Sequence, residues 1–286
     1  MPALDDHPLR YTLNSELHAR PFPSLTAPHV AAYLAVRPWG EAARRDRSVD
    51  LQQLRDLLAH YGAPLPAADA THYFGPMGKY TLKWEQHTEF VTYTVFLDQL
   101  GQRPFDPAEF DVFPQDWRAG LNAQRITSIL LRLVPRPPQD AQIADTLQDW
   151  FVPESLAVAS VLEDAAVIAS DFRIDPAGHM RMAVFASEGT GSRRLGRIVQ
   201  RLCEIETYKS MSMLGFAKVR EFAGQLDRID AELNDLMAGM AGTSAMAEDT
   251  LHRLLDISVG LEALSADASY RLGATEAYQA IVAQRI

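Results

Sequence analysis

All 17 prolines fall in the first 190 residues, and from residue 191 to Ile286 there is none. That asymmetry constrains the fold more than any other feature of the chain. A proline inside a helix costs about 3 kcal/mol, so a proline-free stretch rich in Leu, Ala, Met and Glu is free to form long helices. Leu195, Ile198, Val199, Leu202, Ile205 and Leu214 recur at three- and four-residue steps, as one face of a helix requires. A break is expected near Gly215. Helix resumes over Val219–Met237 with Leu226, Ile229, Leu233 and Leu236 on one side, and Gly239–Gly242 reads as a turn. Thr243 or Ser244 can cap a further helix carrying Leu251, Leu254, Leu255, Ile257 and Leu261, an antiparallel partner by length and loop size. The last stretch, Ala277–Ile286, still reads as helix and carries no stop signal, which predicts a truncated chain or a partner that continues it.

Before residue 190 the pattern is different: short apolar runs alternate with Pro and Gly breaks. His29–Arg37, Tyr80–Leu97, Ile126–Val134 and Leu156–Ala186 read as strands, rich in Val, Thr, Tyr and Phe. Within the last of these, Asp175-Pro-Ala-Gly178 predicts a hairpin turn between Phe172/Ile174 and Met180/Met182/Val184. Val49–Tyr61, capped by Ser48, and Asp140–Phe151 read as amphipathic helices. Side by side these elements suggest a tandem repeat: two β-α-β-β units, about 28–98 and 125–187, joined by a connector at Gln99–Gln124. The expected fold is α+β, a mixed or antiparallel sheet domain over residues 1–190 followed by an antiparallel helical region over 191–286.

Charge narrows the function. Asp and Glu number 37 against 27 Lys and Arg, a net charge of −10. That excess argues against nucleic-acid binding, which needs cations to displace counterions. It also argues against docking on an anionic membrane by charge alone. The surplus is concentrated late: residues 221–286 hold 11 acidic and 4 basic residues. No run approaches the roughly 20 apolar residues of a membrane span, and the N-terminus lacks the apolar core of a signal peptide. The single cysteine, Cys203, excludes an intramolecular disulfide and fits a reducing, cytoplasmic compartment.

Two clusters are candidates for chemistry. Asn14, Glu16, His18 and Arg20 share one side of an extended backbone and could bind an anion or move a proton. The plainer reading is an arm fastened by ion pairs. Lys83, Glu85, His87 and Glu89 also share a face if their strand is straight, and Glu85, His87 and Glu89 then form a weak metal set. The repeat places a turn near Gln86–Thr88, which would splay them and leave the ionic residues solvated or salt-bridged on the face opposite Tyr80, Leu82 and Trp84. The two clusters could also meet. Gly189-Thr-Gly191-Ser192 opens a helix but lacks the ending of a P-loop and reads as a hinge or cap. No nucleophile-elbow, zincin or dinucleotide motif occurs, and no cofactor is indicated.

The runs LNSELHARPFP (13–23), GKYTLKWEQHTEFVTYT (78–94) and GRIVQRLCEIETYKSMSMLGFAKVRE (196–221) resemble a bacterial family of predicted membrane-anchored proteins, domain of unknown function 3422. The resemblance spans essentially the whole chain. It implies longer members that continue into more helix and a C-terminal apolar segment tethering them to the inner membrane; this sequence ends before such an anchor. It implies no activity and no catalytic residue. The resulting expectation is a non-enzymatic, cytoplasm-facing interaction module that binds protein partners or itself through its C-terminal helices. The alternative is a ligand- or metal-binding sensor, or an enzyme, built from the two ionic clusters.

Overall fold

The computed structural model describes residues 5–11, 22–40, 45–241 and 247–286. The chain divides into two compact units, Met1–Glu204 and Ile205–Ile286.

The first unit is built on eight strands: β1 (His29–Pro38), β2 (His72–Met77), β3 (Tyr80–Gln86), β4 (Val91–Leu97), β5 (Ala123–Pro135), β6 (Ala157–Val161), β7 (Ala166–Ser170) and β8 (Met180–Ala186). They form one mixed sheet in the order β2-β3-β4-β1-β5-β8-β7-β6. Strands β1 and β5 lie at its centre, and the middle of each is buried on both faces. Each half runs strand, helix, then a three-stranded meander. The fold is therefore α+β with two halves in one sheet, as the pattern predicts, with one strand more in the first half than that pattern contains. The halves are not copies: β1 pairs antiparallel with β4, whereas β5 pairs parallel with β8.

Helices α1 (Arg47–His60), α2 (Gln115–Ala119) and α3 (Asp140–Trp150) lie over one face of the sheet. Leu51, Leu54, Leu57 and Leu58 of α1 and Ile143 and Leu147 of α3 pack on Leu34, Trp84, Tyr93 and Phe185, each buried leucine contributing about 1.5–3 kcal/mol. Asp46, not Ser48, caps α1: its carboxylate accepts the Ser48 backbone N–H at 2.9 Å. The connector between the halves is part of this core. It folds into a 3-10 helix (Pro107–Val112) followed by α2, and Phe105, Phe110, Val112 and Phe113 are buried among the residues of α1 and α3.

The other face packs against Leu25 and the first turns of α4 (Ser192–Ala241), through Leu195, Ile198, Val199 and Cys203. Here Gly196 lies directly on the Pro23 carbonyl, and a Cβ at this position would overlap that oxygen. This docking takes the first unit to Glu204, past the end of the sheet. The 175–178 turn forms, with the Gly178 N–H on the Asp175 carbonyl at 2.9 Å. The residues before it do not form a strand, since Ile174 makes only an isolated bridge to Met180; the tight hairpin is β6–β7 instead.

In the second unit α4 continues unbroken and α5 (Ala247–Arg285) follows. Gly215 does not break α4. Its missing side chain admits Thr275, whose Oγ1 would collide with a Cβ, so the glycine serves close helix packing. Gly239 is still helical, while Gly242, Thr243 and Ser244 lie outside the described residues. Ile229 beside Gly260 and Lys218 bridging Asp267 at 2.8 Å fix the two helices as antiparallel. Among the described residues, no helix is long and apolar enough to cross a membrane.

Candidate functional site

The second ionic cluster lies on β3 and on the turn after it. β3 ends at Gln86 and β4 begins at Val91, and the His87 N–H bonds the Phe90 carbonyl at 2.9 Å. The turn therefore falls where the repeat places it, and the straight strand needed to align Glu85, His87 and Glu89 is not formed. The face is salt-bridged rather than solvated. Lys83 is 4%, Glu85 8% and Glu89 1% exposed. Lys83 Nζ holds Glu85 Oε2 at 2.8 Å, and the pair stands beside Thr94 and Thr92, their partners across the ladder, both buried. Two charges out of water must neutralise one another, because an isolated one would cost several kcal/mol. His87 stacks on Phe90, ring centroids 4.3 Å apart. Among the described residues no group of three His, Cys, Asp or Glu could hold a metal ion. Asn14, Glu16, His18 and Arg20 lie outside the described residues, so the meeting of the clusters does too.

The turn is clamped from the other side of the sheet. Arg45 donates to the His87 carbonyl at 2.6 Å and bridges Asp50 at 2.9 Å, while the Gln86 amide donates to Asp50 at 2.8 Å. Burial pushes the Asp50 carboxyl above its ordinary range and the Arg45 guanidinium below its own. No sequence pattern points to this network. Arg45 stands 42 residues from His87 and Asp50 stands 36 from Gln86, and only the folded chain brings them together.

A second network crosses the centre of the sheet. Arg132, a lone cation inside the apolar run of β5, is 4% exposed and faces Glu109 at 3.4 Å. Burial raises the Glu109 pKa and lowers that of Arg132. Glu109 also lines an open cavity of about 590 Å³ with Lys79, Tyr80, Asp98, Gln99 and Asp106. Asp171, 1% exposed, takes Arg181 at 2.5 Å and the Val152 N–H at 3.0 Å.

One pair has the composition of a nucleophile and its base. Ser128 Oγ lies 3.0 Å from His179 Nδ1. The hydroxyl also lies 2.9 Å from the Gly178 carbonyl, which can only accept. Its single proton goes there, so His179 Nδ1 keeps its own proton and donates to Ser128. That is the reverse of what an activated serine needs. His179 is buried against the Phe110 ring, centroids 4.1 Å apart, and burial lowers its pKa. The charges of these networks are paired and largely buried, though Glu109 Oε2 and the Nε atoms of Arg45, Arg132 and Arg181 are buried without a hydrogen-bond partner; the networks read as clamps on the sheet.

The second unit presents its apolar residues differently. On α4, Gly215, Phe222, Ile229 and Leu236 recur every seven residues; Phe222 and Leu236 are buried, and Gly215 and Ile229 face α5. A second series, Val219, Leu226, Leu233 and Met240, has the same spacing and is exposed, by 50%, 48%, 37% and 54%. Leu251, Leu254, Leu255 and Leu261 of α5 are exposed as well. A seven-residue apolar repeat is the seam of supercoiled helices, and here one seam is filled and its neighbour is open.

Over residues 5–286 the sequence matches the family described as Protein of unknown function (DUF3422). The chain belongs to this family. No curated protein and no solved structure matches it.

Proposed function

We propose that this DUF3422 protein is an assembly module, and that the open seam of its helical unit is filled by the same seam of a second copy. The observation that carries this reading is the exposed series Val219, Leu226, Leu233 and Met240, repeated at the interval of the buried one. The size is adequate. From Val219 to Met240 the helix runs about 32 Å, and a strip about 10 Å wide gives roughly 320 Å² per helix. Two helices in each of two copies give about 1,300 Å², within the range of stable interfaces. A two-fold axis would close the pair of hairpins into a four-helix bundle. In this reading the module faces the cytoplasm, in keeping with the single cysteine. The inner-membrane tether that the family resemblance implies would be supplied by a segment other than these helices.

Sedimentation of the whole chain tests it. The expected result is a dimer at micromolar concentration, converted to monomer by Leu226→Glu with Leu233→Glu while helical circular dichroism is retained. A strict monomer across about 1–100 µM, a span covering the affinities of ordinary interfaces, refutes it.

A further inference from the structure

The sheet has two edges, and they differ. β2 carries Pro76, which has no N–H to offer a further strand, and Gly75 beside it. β6, Ala157–Val161, has the sequence AVASV, with neither proline nor charge, and residues 157–160 are exposed. It is the last strand in the order, with no neighbour on its far side among the described residues. Natural sheets protect such edges with Pro, Lys, a bulge or a short strand; among the described residues this one carries none of these but its five-residue length.

Cavities flank β6 on both faces. On one face, about 160 Å³ is lined by Ala157, Ala159, Ile168, Phe172, Met182 and Leu202, and no charged residue borders it. On the other, about 570 Å³ lies between Val158 and α3, with Ile143, Leu147 and Val167 at its floor and Arg136, Asp140 and Asp164 at its rim. Side chains of an added strand alternate between faces, so one extended segment reaches both cavities. Backbone strain gathers here as well. Of the five non-glycine residues with positive φ among those described, Leu162, Glu163, Asp164 and Phe172 flank β6 and β7. Such strain persists where surrounding structure enforces it and clusters at ligand clamps.

We propose that β6 is a docking edge for an extended, uncharged segment of a partner protein, added as a ninth strand with alternate side chains entering the two cavities. The small cavity takes a branched aliphatic side chain; the larger takes a longer one whose polar tip meets the Arg136 rim. A second copy of β6 fits poorly. Five residues span about 17 Å, and an edge about 10 Å deep buries only about 340 Å² in total, far below the roughly 1,200 Å² of a stable dimer. The side chains of AVASV are also too short to fill the larger cavity. The inference is independent of the helical seam.

The test uses the whole chain and a capped, fluorescein-labelled heptapeptide in which valine alternates with tyrosine. Anisotropy should show saturable binding with a dissociation constant of roughly 100 µM or tighter, a modest affinity for main-chain pairing with two filled pockets. N-methylation of alternate peptide amides along one edge should abolish binding, and along the other should not. Hydrogen exchange at 157–161 should slow on peptide addition. Ala159→Lys should remove binding with tryptophan fluorescence unchanged, and Leu226→Glu with Leu233→Glu should leave it intact. No saturable binding, equal binding of both N-methylated forms, or protection of β6 that rises with protein concentration alone overturns the proposal.

Discussion

His179 offers the sharpest test of the buried networks. The residue is 3% exposed, lies against Phe110 and donates from Nδ1 to Ser128. Burial lowers its pKa below the ordinary histidine value; Arg125 and Arg118 push the same way, and Asp175 and Asp111 oppose. Between the lowered native value and the unfolded value of about 6.5, the unfolded chain holds a proton that the native one does not. Stability therefore rises with pH across that window and is lost as pH falls below about 6.5. The loss is at most about 1.4 kcal/mol per pH unit. His179→Gln removes the titration and the ring contact, at a cost of about 1.5 kcal/mol at pH ~7.5. At pH ~5.5 the wild type should have lost part of that advantage. All four tryptophans (Trp39, Trp84, Trp117 and Trp150) lie in the first unit, so urea unfolding followed by their fluorescence reports that unit alone. With an m-value of about 2 kcal/mol/M, the difference in midpoint between wild type and variant should shrink between pH ~7.5 and ~5.5, by up to about 0.7 M. A difference that stays constant would mean that the ring protonates in place, and would refute the burial argument.

Three other perturbations follow from the packing. Gly196→Ala drives a Cβ into the Pro23 carbonyl and should destabilise the first unit by about 3 kcal/mol, read by tryptophan fluorescence in urea. Asp171→Ala strips the partner from Arg181 and leaves the Val152 N–H unpaired; a loss of about 3 kcal/mol is expected by the same assay. Gly215→Leu forces α4 away from Thr275 and should lower the helical melting transition while leaving the urea midpoint of the tryptophan signal unchanged.

The sequence by itself determined most of the elements, though not β2 or the helical turns of the connector. Apolar residues at three- and four-residue steps specify α1 and α3, alternation specifies the strands, and the absence of proline specifies the long helices. These depend on local geometry and survive any arrangement of neighbours. What surrounds each element was decided only by tertiary structure. Lys83 and Glu85 read as a solvated or salt-bridged face because they alternate with Leu82 and Trp84; they are ion-paired and buried, since β3 has cover on both faces and strand period alone does not say how many faces are covered. The aromatics of the 99–124 connector carry no helical or strand period, so their place in the core became visible only once α1 and α3 surrounded them. Gly215 reads as a breaker until Thr275 arrives beside it. Arg132 was the one legible warning, a charge inside an apolar strand. Its partner Glu109 comes from 23 residues away, a distance that only tertiary packing closes.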